Sequence, residues 1–215
     1  MAWTDDLAPV AALTAVERTL LERQLERNIA CVPTTSMGRL FDAVASLIDL
    51  RHDVTFEAQA AIDLEHAAGR AHGHGTPLAF HVAGGVIDPR PLVRGIVDHM
   101  RKGVAPSRLA LGFPHAVADA VAALAGAVRR RRGVDVVALS GGVFQTALHV
   151  ELCARRLAGD RITCLTHRLV PPNDGGRALG QAYVAAHRRR GAPDTLRHRA
   201  FSSPPISSPP INKEY

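Results

Sequence analysis

The sequence predicts an α/β protein in which helices outnumber strands. Apolar residues recur at helical spacing over much of the chain, and two short apolar runs, 134–140 and 161–165, have the length of buried strands. Hydrophobic residues make up 47% of the 215 residues and aromatic residues only 4%, so Ala, Val and Leu must fill most of the core. A chain of this length suits one domain, or two small lobes, with ample core.

The N-terminal half is predicted to be helical with one short strand. Its helices cover about 6–28, 34–47, 57–69 and 88–103. Hydroxyl side chains at 34–36 offer N-caps for the second helix, and Asp88 offers one for the fourth, with Pro89 at the first helical position. Between the third and fourth helices, the glycine-rich segment 71–77 is a loop and 78–83 is a strand.

The C-terminal half is predicted to alternate between helices and strands. Ser107 caps a long helix that stops at Gly133. The elements after it are a strand at 134–140, a helix at 143–158, a strand at 161–165 and a helix that ends near 190. Residues 1–190 are therefore assigned to the folded domain. The segment 191–215 repeats SSPP and has little to bury, so it is predicted to be a disordered Ser/Pro-rich tail.

The charge and the cysteines exclude several classes of protein. Much of the net charge of +6 lies in two arginine clusters, 129–132 and 188–190, each at the end of a predicted helix, where cations complement the helix dipole. No aromatic residues interleave with these arginines for base stacking, so nucleic-acid binding is not favoured and an acidic partner is the alternative. Cys31, Cys153 and Cys164 have no metal-binding or disulfide spacing and are predicted to be small buried residues.

No membrane or secretory segment is predicted. Apolar runs stay short of the roughly 20 residues of a membrane span, and the N-terminus lacks a secretory pattern. We therefore expect a soluble, cytoplasmic protein with no membrane partner.

Two glycine-containing loops are the most informative feature of the chain. LSGGVFQ at 139–145 follows an apolar run and precedes an amphipathic stretch, which predicts a strand, a glycine turn and a helix. Backbone N–H groups and a helix N-terminus in this arrangement can hold phosphate. PPNDGG at 171–176 offers Asn173 and a carboxylate, Asp174, before a further helix. One such loop is common in purely structural turns, but two in succession indicate a nucleotide cleft.

Four motifs, in chain order, resemble one known family. They are TTSMGRLFDAVASLIDL at 34–50, VTFEAQAAIDLE at 54–65, LSGGVFQ at 139–145 and PPNDGGRALGQA at 171–182. Together they resemble the C-terminal carbamoyltransferase domain of the hydrogenase maturation family HypF, over roughly residues 10–187. That domain is similar to the TsaD-type enzymes of tRNA modification, and both belong to the actin-like ATPase (ASKHA) superfamily, whose two lobes enclose a nucleotide. The resemblance implies a helix-rich α/β portion of such a domain, mainly the second lobe.

The resemblance also implies an activity. HypF-type enzymes convert carbamoyl phosphate and ATP to carbamoyl-adenylate and then transfer the carbamoyl group to the C-terminal cysteine of a partner, HypE. We expect this chain to be a truncated or stand-alone part of such a carbamoyltransferase that is inactive alone. The alternative is a non-catalytic nucleotide-binding or assembly subunit that needs a first lobe carried by a separate chain. A third interpretation is a tRNA-modifying relative of the TsaD type, although the residues FQ and the PPNDGG motif resemble HypF more closely.

Matching positions imply a nucleotide-binding set. Gly38 and Asp42 match residues that contact the nucleotide-like substrate, and a carboxylate at Asp42 can accept both hydroxyls of a ribose. The structural alternative is an ion pair between Asp42 and Arg39 on one helix face. Glu57 is a weaker candidate for the same pocket, because a glutamate in the first helical turn also stabilises any helix.

The two glycine-containing loops supply the other implied positions. The members of the LSGGVFQ turn that would lie against adenosine or phosphate are Ser140, Gly141 and Gly142. Asp174 matches a metal-binding carboxylate, which suits Mg²⁺, or iron or zinc in a mixed site, and its structural alternative is to cap the last helix. No catalytic nucleophile is evident, which fits a reaction in which the acceptor brings the thiol.

Three positions depart from the family pattern. Thr146 replaces an asparagine at a position that contacts the substrate. A Phe-His pair of the family is here interrupted by Pro114. The family's two metal-binding histidines, four residues apart, have no counterpart, and His72 and His74 are predicted to be solvated loop residues. The divalent metal site is therefore expected to be incomplete in this chain.

Overall fold

A computed structural model of the chain describes residues 5–189, and within them eight α-helices and four short strands. The helices are α1 (Ala8–Ala11), α2 (Ala15–Arg27), α3 (Met37–Leu47), α4 (Gln59–Gly69), α5 (Arg90–Arg101), α6 (Pro106–Arg132), α7 (Ala147–Gly159) and α8 (Arg177–Arg189). The strands are β1 (His81–Ala83), β2 (Val86–Asp88), β3 (Val136–Ala138) and β4 (Thr163–Leu165). The prediction of a disordered tail at 191–215 lies outside the described residues.

The main core lies among α3, α4, α5 and α6. It is built from aliphatic and small side chains together with two phenylalanines, Phe41 and Phe113, whose rings meet edge to face with centroids 4.7 Å apart. Leu92 and Ile96 of α5 are fully buried in the same cluster. Burial of a large apolar side chain contributes roughly 1.5–3 kcal/mol, so each of these residues stabilises the packing of the helices.

A second, smaller core lies where α7 and the strand pair β3–β4 pack on the C-terminal half of α6. Its buried members are Ala118, Leu139, Leu152, Cys153, Leu157 and Ile162. Because α6 contributes to both cores, this helix connects the part of the molecule around α3, α4 and α5 to the part that contains the parallel strands.

α6 is long and apolar enough to cross a membrane by length and composition alone. In the structure it is a core helix, since it packs against α4 on one side and α7 on the other. Its fully buried residues include Leu109 and Phe113. The four exposed arginines 129–132 form its last turn, and Gly133 ends it in the left-handed conformation with φ of 69°.

A close backbone contact fixes the loop 71–77 against α6. The Thr76 N–H donates to the Arg108 carbonyl oxygen at 2.9 Å. Gly112 permits this approach, because a Cβ added there would lie 2.1 Å from the Thr76 carbonyl oxygen. His72 and His74 in this loop are exposed, as the sequence predicted.

Two predicted elements of the N-terminal half are corrected by the structure. The helix predicted at 6–28 is interrupted, because Thr14 forms a capping box with Glu17 and so starts α2 as a separate helix. The single strand predicted at 78–83 is a hairpin of β1 and β2. Its turn, Gly84–Gly85, has φ of 59° and 83°, which only glycine adopts without strain.

Three helix starts are also corrected. Asp88 does accept the Arg90 N–H at 2.9 Å, but Pro89 is the cap residue and α5 begins at Arg90. α6 begins at Pro106 after Ala105, so Ser107 does not cap it. The helix predicted from 143 begins at Ala147, after a turn of 3-10 helix.

Candidate nucleotide-binding site

The two glycine-containing loops lie side by side because the strands that precede them are parallel. β3 and β4 pair in parallel register, and the Leu139 N–H donates to the Leu165 carbonyl oxygen at 2.9 Å. The chain leaves both strands at the same edge, where ligands bind in open α/β sheets. The Gly141 N–H then donates to the Pro172 carbonyl oxygen at 2.8 Å, so a hydrogen bond joins the LSGGVFQ loop to the PPNDGG loop.

The LSGGVFQ loop leaves open space for a ligand. Gly141 has φ of 112°, and a Cβ added at Gly141 or Gly142 would meet nothing within 4 Å. Gly142–Gln145 form the turn of 3-10 helix, whose first backbone N–H groups have no partner within the turn. The Ser140 hydroxyl lies 3.0 Å from Nε2 of His167, so the side chain before the glycines is held in place.

The PPNDGG loop is held by its own backbone and by Asn173. Asn173 Oδ1 accepts the Gly175 N–H at 3.0 Å and caps a short 3-10 turn, Asp174–Gly176. The side chain of Asp174 is 84% exposed and lies 3.4 Å from the Arg177 guanidinium. Asn173 therefore caps this turn, and Asp174 presents an accessible carboxylate beside a cation.

α3, which carries Gly38 and Asp42, contacts the turn of 3-10 helix that follows the glycines. Aromatic rings link the two, since His149 of α7 meets Phe41 edge to face at 5.6 Å and stacks on Phe144 of the turn at 5.2 Å. Asp42 forms the ion pair with Arg39 that the structural alternative predicts, at 2.8 Å. The structure therefore brings the motif at 34–50 close to the LSGGVFQ loop. The Asp42 carboxylate is paired with Arg39.

The side chains of Glu57 and Thr146 make no hydrogen bond to a residue distant in sequence among residues 5–189. Glu57 lies in an exposed turn before α4 and has no hydrogen bond or ion pair among residues 5–189. Thr146 is the N-cap residue of α7, but its hydroxyl donates back to the Val143 carbonyl oxygen at 3.1 Å. Of the interrupted Phe-Pro-His segment, Phe113 and Pro114 are buried and His115 is exposed.

Two residues that sequence reasoning missed also contribute to the site. Glu65 of α4 accepts the backbone N–H of Leu148, at the start of α7, with Oε1 at 2.9 Å. Glu65 ends the motif VTFEAQAAIDLE, so its place in the motif was a signal that could have been used. The side chain of His149 is buried although its sequence neighbours gave no sign of a partner.

Neither Cys153 nor Cys164 is activated as a nucleophile. Burial and the neighbouring Cys164 raise the pKa of the Cys153 thiol to about 12, and burial also raises the pKa of Cys164. A thiol is reactive as a thiolate, so both sulfurs are inert at neutral pH. Cys153 is fully buried as predicted, whereas Cys31 and Cys164 are half-buried.

The metal prediction rests on Asp174 alone within the described part of the chain. In residues 5–189 no group of three or more His, Cys, Asp or Glu side chains is placed to hold a metal ion. Structural and catalytic sites for zinc or iron take at least three protein ligands. The described residues therefore do not fit a transition metal without ligands from elsewhere.

The parallel strand pair, the joined glycine loops and the helix-rich surroundings are those of a part of an actin-like ATPase-type domain. A family model described as "Carbamoyltransferase, Kae1-like Domain, second subdomain" matches residues 2–181. The chain belongs to this family, as a part of the C-terminal domain of HypF carbamoyltransferases.

Relatives with established names agree with this assignment. Carbamoyltransferase HypF2 of Cupriavidus necator is 34% identical in an alignment that covers 79% of this chain and 24% of the relative. Carbamoyltransferase HypF of Rhodobacter capsulatus is 35% identical over 80% of this chain and 22% of its own length. A shorter relative in C. necator, a carbamoyltransferase HypF homolog, is 34% identical, with 78% of this chain and 44% of the relative covered.

Solved structures share the fold. The crystal structure of full-length HypF in the phosphate- and nucleotide-bound form superposes with a TM-score of 0.79 and 33% identity, over 86% of this chain and 29% of that one. The crystal structure of T. kodakarensis HypF gives a TM-score of 0.73 and 28% identity, over 82% of this chain and 23% of that one. The chain thus spans about a quarter of the length of its full-length relatives.

Proposed function

We propose that this chain forms the nucleotide-holding half of a HypF-like carbamoyltransferase site. In that reaction an acceptor thiolate attacks the carbonyl carbon of carbamoyl-adenylate, the bond from that carbon to the phosphate oxygen breaks, and AMP leaves. The acceptor is a HypE-like protein with a C-terminal cysteine, and the product serves nickel–iron hydrogenase maturation in the cytoplasm. Membership of the family supports the reaction class, and the nucleotide-bound relative supports the ligand class.

The observation that carries the proposal is the hydrogen bond between Gly141 N–H and the Pro172 carbonyl oxygen, 2.8 Å long. It joins the two loops into one edge with open space above the glycines. A loop that is fixed before the ligand arrives loses little conformational freedom on binding. Ser140, Gly141 and Gly142 therefore form the floor of the proposed site, with Thr146 at its end.

The helix α3 is proposed as the second wall. Gly38 lies at its first turn, and the Asp42 carboxylate would exchange Arg39 for the two hydroxyls of a ribose. The ion pair is exposed at Arg39, where pairs are worth about 0–1 kcal/mol, so this exchange is inexpensive. Glu57 is proposed at the margin of the same pocket.

Asp174 is proposed as one ligand of a divalent metal ion, Mg²⁺, iron or zinc, whose other ligands come from the nucleotide phosphates or from a first subdomain. A cation there would neutralise phosphate charge. Because one carboxylate does not hold a transition metal, no chemical step is assigned to it in this chain alone.

A first subdomain on another polypeptide is the proposed structural partner. The family model is that of a second subdomain, and large apolar side chains are exposed on both parallel strands and on α8. They are Val136, Leu165, Leu179, Tyr183 and Val184. Parallel strands are normally covered on both faces, so these side chains are suited to an interface. The alternative function, a non-catalytic nucleotide-binding subunit, makes use of the same interface.

The test is transfer of the carbamoyl group from synthetic carbamoyl-adenylate to a HypE-like acceptor, with and without a supplied first subdomain. We expect transfer, read by acceptor mass, only when both parts are present. Substitution Gly142→Val should abolish it, since a branched side chain fills the open space, whereas Gly69→Val is a matched change at a helix glycine with nothing within 4 Å. Nucleotide binding without transfer in the combined sample would favour the non-catalytic alternative.

A further inference from the structure

The N-terminus of α7, directly after the glycine turn, is occupied by a carboxylate from another helix. Thr146 does not cap α7 with its side chain, because its hydroxyl donates to the Val143 carbonyl oxygen. Glu65 of α4 takes that place, with Oε1 2.9 Å from the Leu148 nitrogen although 83 residues separate the two.

A carboxylate in this place competes with phosphate. The free N–H groups and the positive end of the dipole at a helix N-terminus are what bind phosphate. Glu65 is half-buried and borders a small cavity with Phe41, Leu64 and Phe113, so water screens its charge less than at an open surface. A second anion at the same helix end would meet both a used donor and a like charge.

The opposite loop has the complementary character. Arg177 lies beside Asp174 in the PPNDGG loop, and both side chains are exposed. A phosphate that approaches this loop can meet the guanidinium, and a divalent cation held by Asp174 would add to the attraction.

We infer that Glu65 is a positioning residue that orients the nucleotide in the proposed site. It closes the N-terminus of α7 to phosphate, so the glycine turn takes the uncharged adenosine part and the phosphate end points to the PPNDGG loop. This inference rests on the proposed function, since it concerns the same ligand. A residue that only capped α7 would change the stability of the fold and leave the choice between ligands unchanged.

The test compares adenosine, AMP and inorganic pyrophosphate by calorimetry on the whole chain and on its Glu65→Gln variant. Glutamine keeps an oxygen acceptor for the Leu148 N–H and removes the charge. We expect pyrophosphate affinity and the AMP-to-adenosine affinity ratio each to rise about fivefold, the size of one helix-end charge interaction. Adenosine affinity should change less than about twofold.

The matched control is Asp63→Asn, which removes the same charge from α4. The Asp63 carboxylate pairs with Arg51 at 2.7 Å, and no hydrogen bond joins it to α7 within the described residues. Its AMP-to-adenosine ratio should equal that of the parent chain. An unchanged ratio with no gain in pyrophosphate binding in folded Glu65→Gln overturns the inference.

A second measurement needs no variant. Photolabelling of the parent chain with 8-azidoadenosine should mark the peptide that contains residues 139–145, and labelling of 171–176 instead overturns the orientation. If the parent chain binds neither adenosine nor AMP, the proposed function fails. The pyrophosphate comparison then still decides whether Glu65 guards the start of α7.

Discussion

The imidazole of His149 lies in the core at 1% exposure, with its Nδ1 unpaired among the described residues. Its Nε2 is 3.9 Å from the Cys153 sulfur, and the rings of Phe41 and Phe144 cover its faces. Burial lowers the pKa of His149 to about 4 from its usual 6.5. His149, which links α3 to the glycine turn, therefore also makes the stability of the fold sensitive to acid.

The first prediction is a loss of stability between pH 6.5 and pH 4. The unfolded chain binds a proton at His149 in this range and the folded chain does not, so the free energy of unfolding falls as the pH falls. The contribution of His149 to the free energy of unfolding is complete above pH 6.5. About 3 kcal/mol of it is lost once the pH has fallen to the pKa of His149 in the folded state. Urea denaturation at several pH values measures it.

Comparison with His149→Leu isolates this residue from the acidic groups that titrate in the same range. The variant should lose the His149 part of the pH dependence and gain about 1 kcal/mol at neutral pH, because an unpaired buried nitrogen is removed. Replacing the exposed His115 by Gln is the control. Parallel pH profiles for parent and His149→Leu would contradict the prediction.

At the scale of elements, the contact between the loop 71–77 and α6 depends on one missing side chain. Gly112 lies inside a helix, where glycine is unfavourable by about 1 kcal/mol relative to alanine. The Thr76 carbonyl oxygen occupies the position that a Cβ would need, and a backbone atom cannot rotate away. Loop placement and helix propensity are therefore in conflict at this position.

The second prediction is that Gly112→Ala destabilises the protein by about 1–3 kcal/mol, because the cost of overpacking exceeds the gain in helix propensity. Gly126→Ala on the same helix is the control. There the nearest atom to an added Cβ is the mobile Arg130 guanidinium at 3.4 Å, so we expect a small gain instead. Thermal unfolding of both variants measures the difference, and equal shifts would contradict the steric argument.

Most elements could be predicted from the sequence because their signals are local. Gly133 ended the long helix as expected, and the serine at position 36 caps α3 with its hydroxyl 3.3 Å from the Arg39 nitrogen. The hairpin of β1 and β2 was missed since its strands have only three residues each. The role of Gly112 could not be predicted, because its partner lies 36 positions away and follows only from packing.

On the scale of the whole molecule, the described residues form two adjacent cores, and apolar side chains are exposed on β3, β4 and α8. α6 runs through both parts, and the strand pair β3–β4 stands at the end with exposed apolar side chains. The site loops leave from this same end. An interface with a first subdomain would therefore border the proposed nucleotide site.

The third prediction concerns metal binding by the whole molecule. A supplied first subdomain should raise affinity for a divalent metal by about tenfold or more, and Asp174→Ala should remove that gain. Asp135→Ala, which changes an exposed carboxylate on the approach to β3, should leave the gain intact. Metal content after desalting measures the effect, and stoichiometric iron or zinc retained by the chain alone after chelation would contradict it.

The sequence predicted the loops of the candidate site better than the contacts between the elements that surround it. The sequence predicted that the two glycine-containing loops form one cleft. The structure places Gly141 and the loop of Asp174 side by side, because parallel strands bring their following loops together, and the binding roles of both residues stay a prediction. The resemblance favoured a ribose contact for Asp42 over an ion pair with Arg39, and the structure shows the ion pair, while the ribose contact stays a prediction. Glu65 was missed because its role depends on a contact between α4 and α7 that no local pattern encodes.

The hydrogen bond from Gly141 to Pro172 couples the two loops. A ligand that orders the glycine turn also orders the PPNDGG loop, so nucleotide and metal ion are expected to bind with positive cooperativity. Linkage makes that effect reciprocal, and the factor by which metal tightens nucleotide equals the factor by which nucleotide tightens metal. Because of this backbone contact, we expect a ligand bound at one loop to raise the affinity of the other loop for its own ligand.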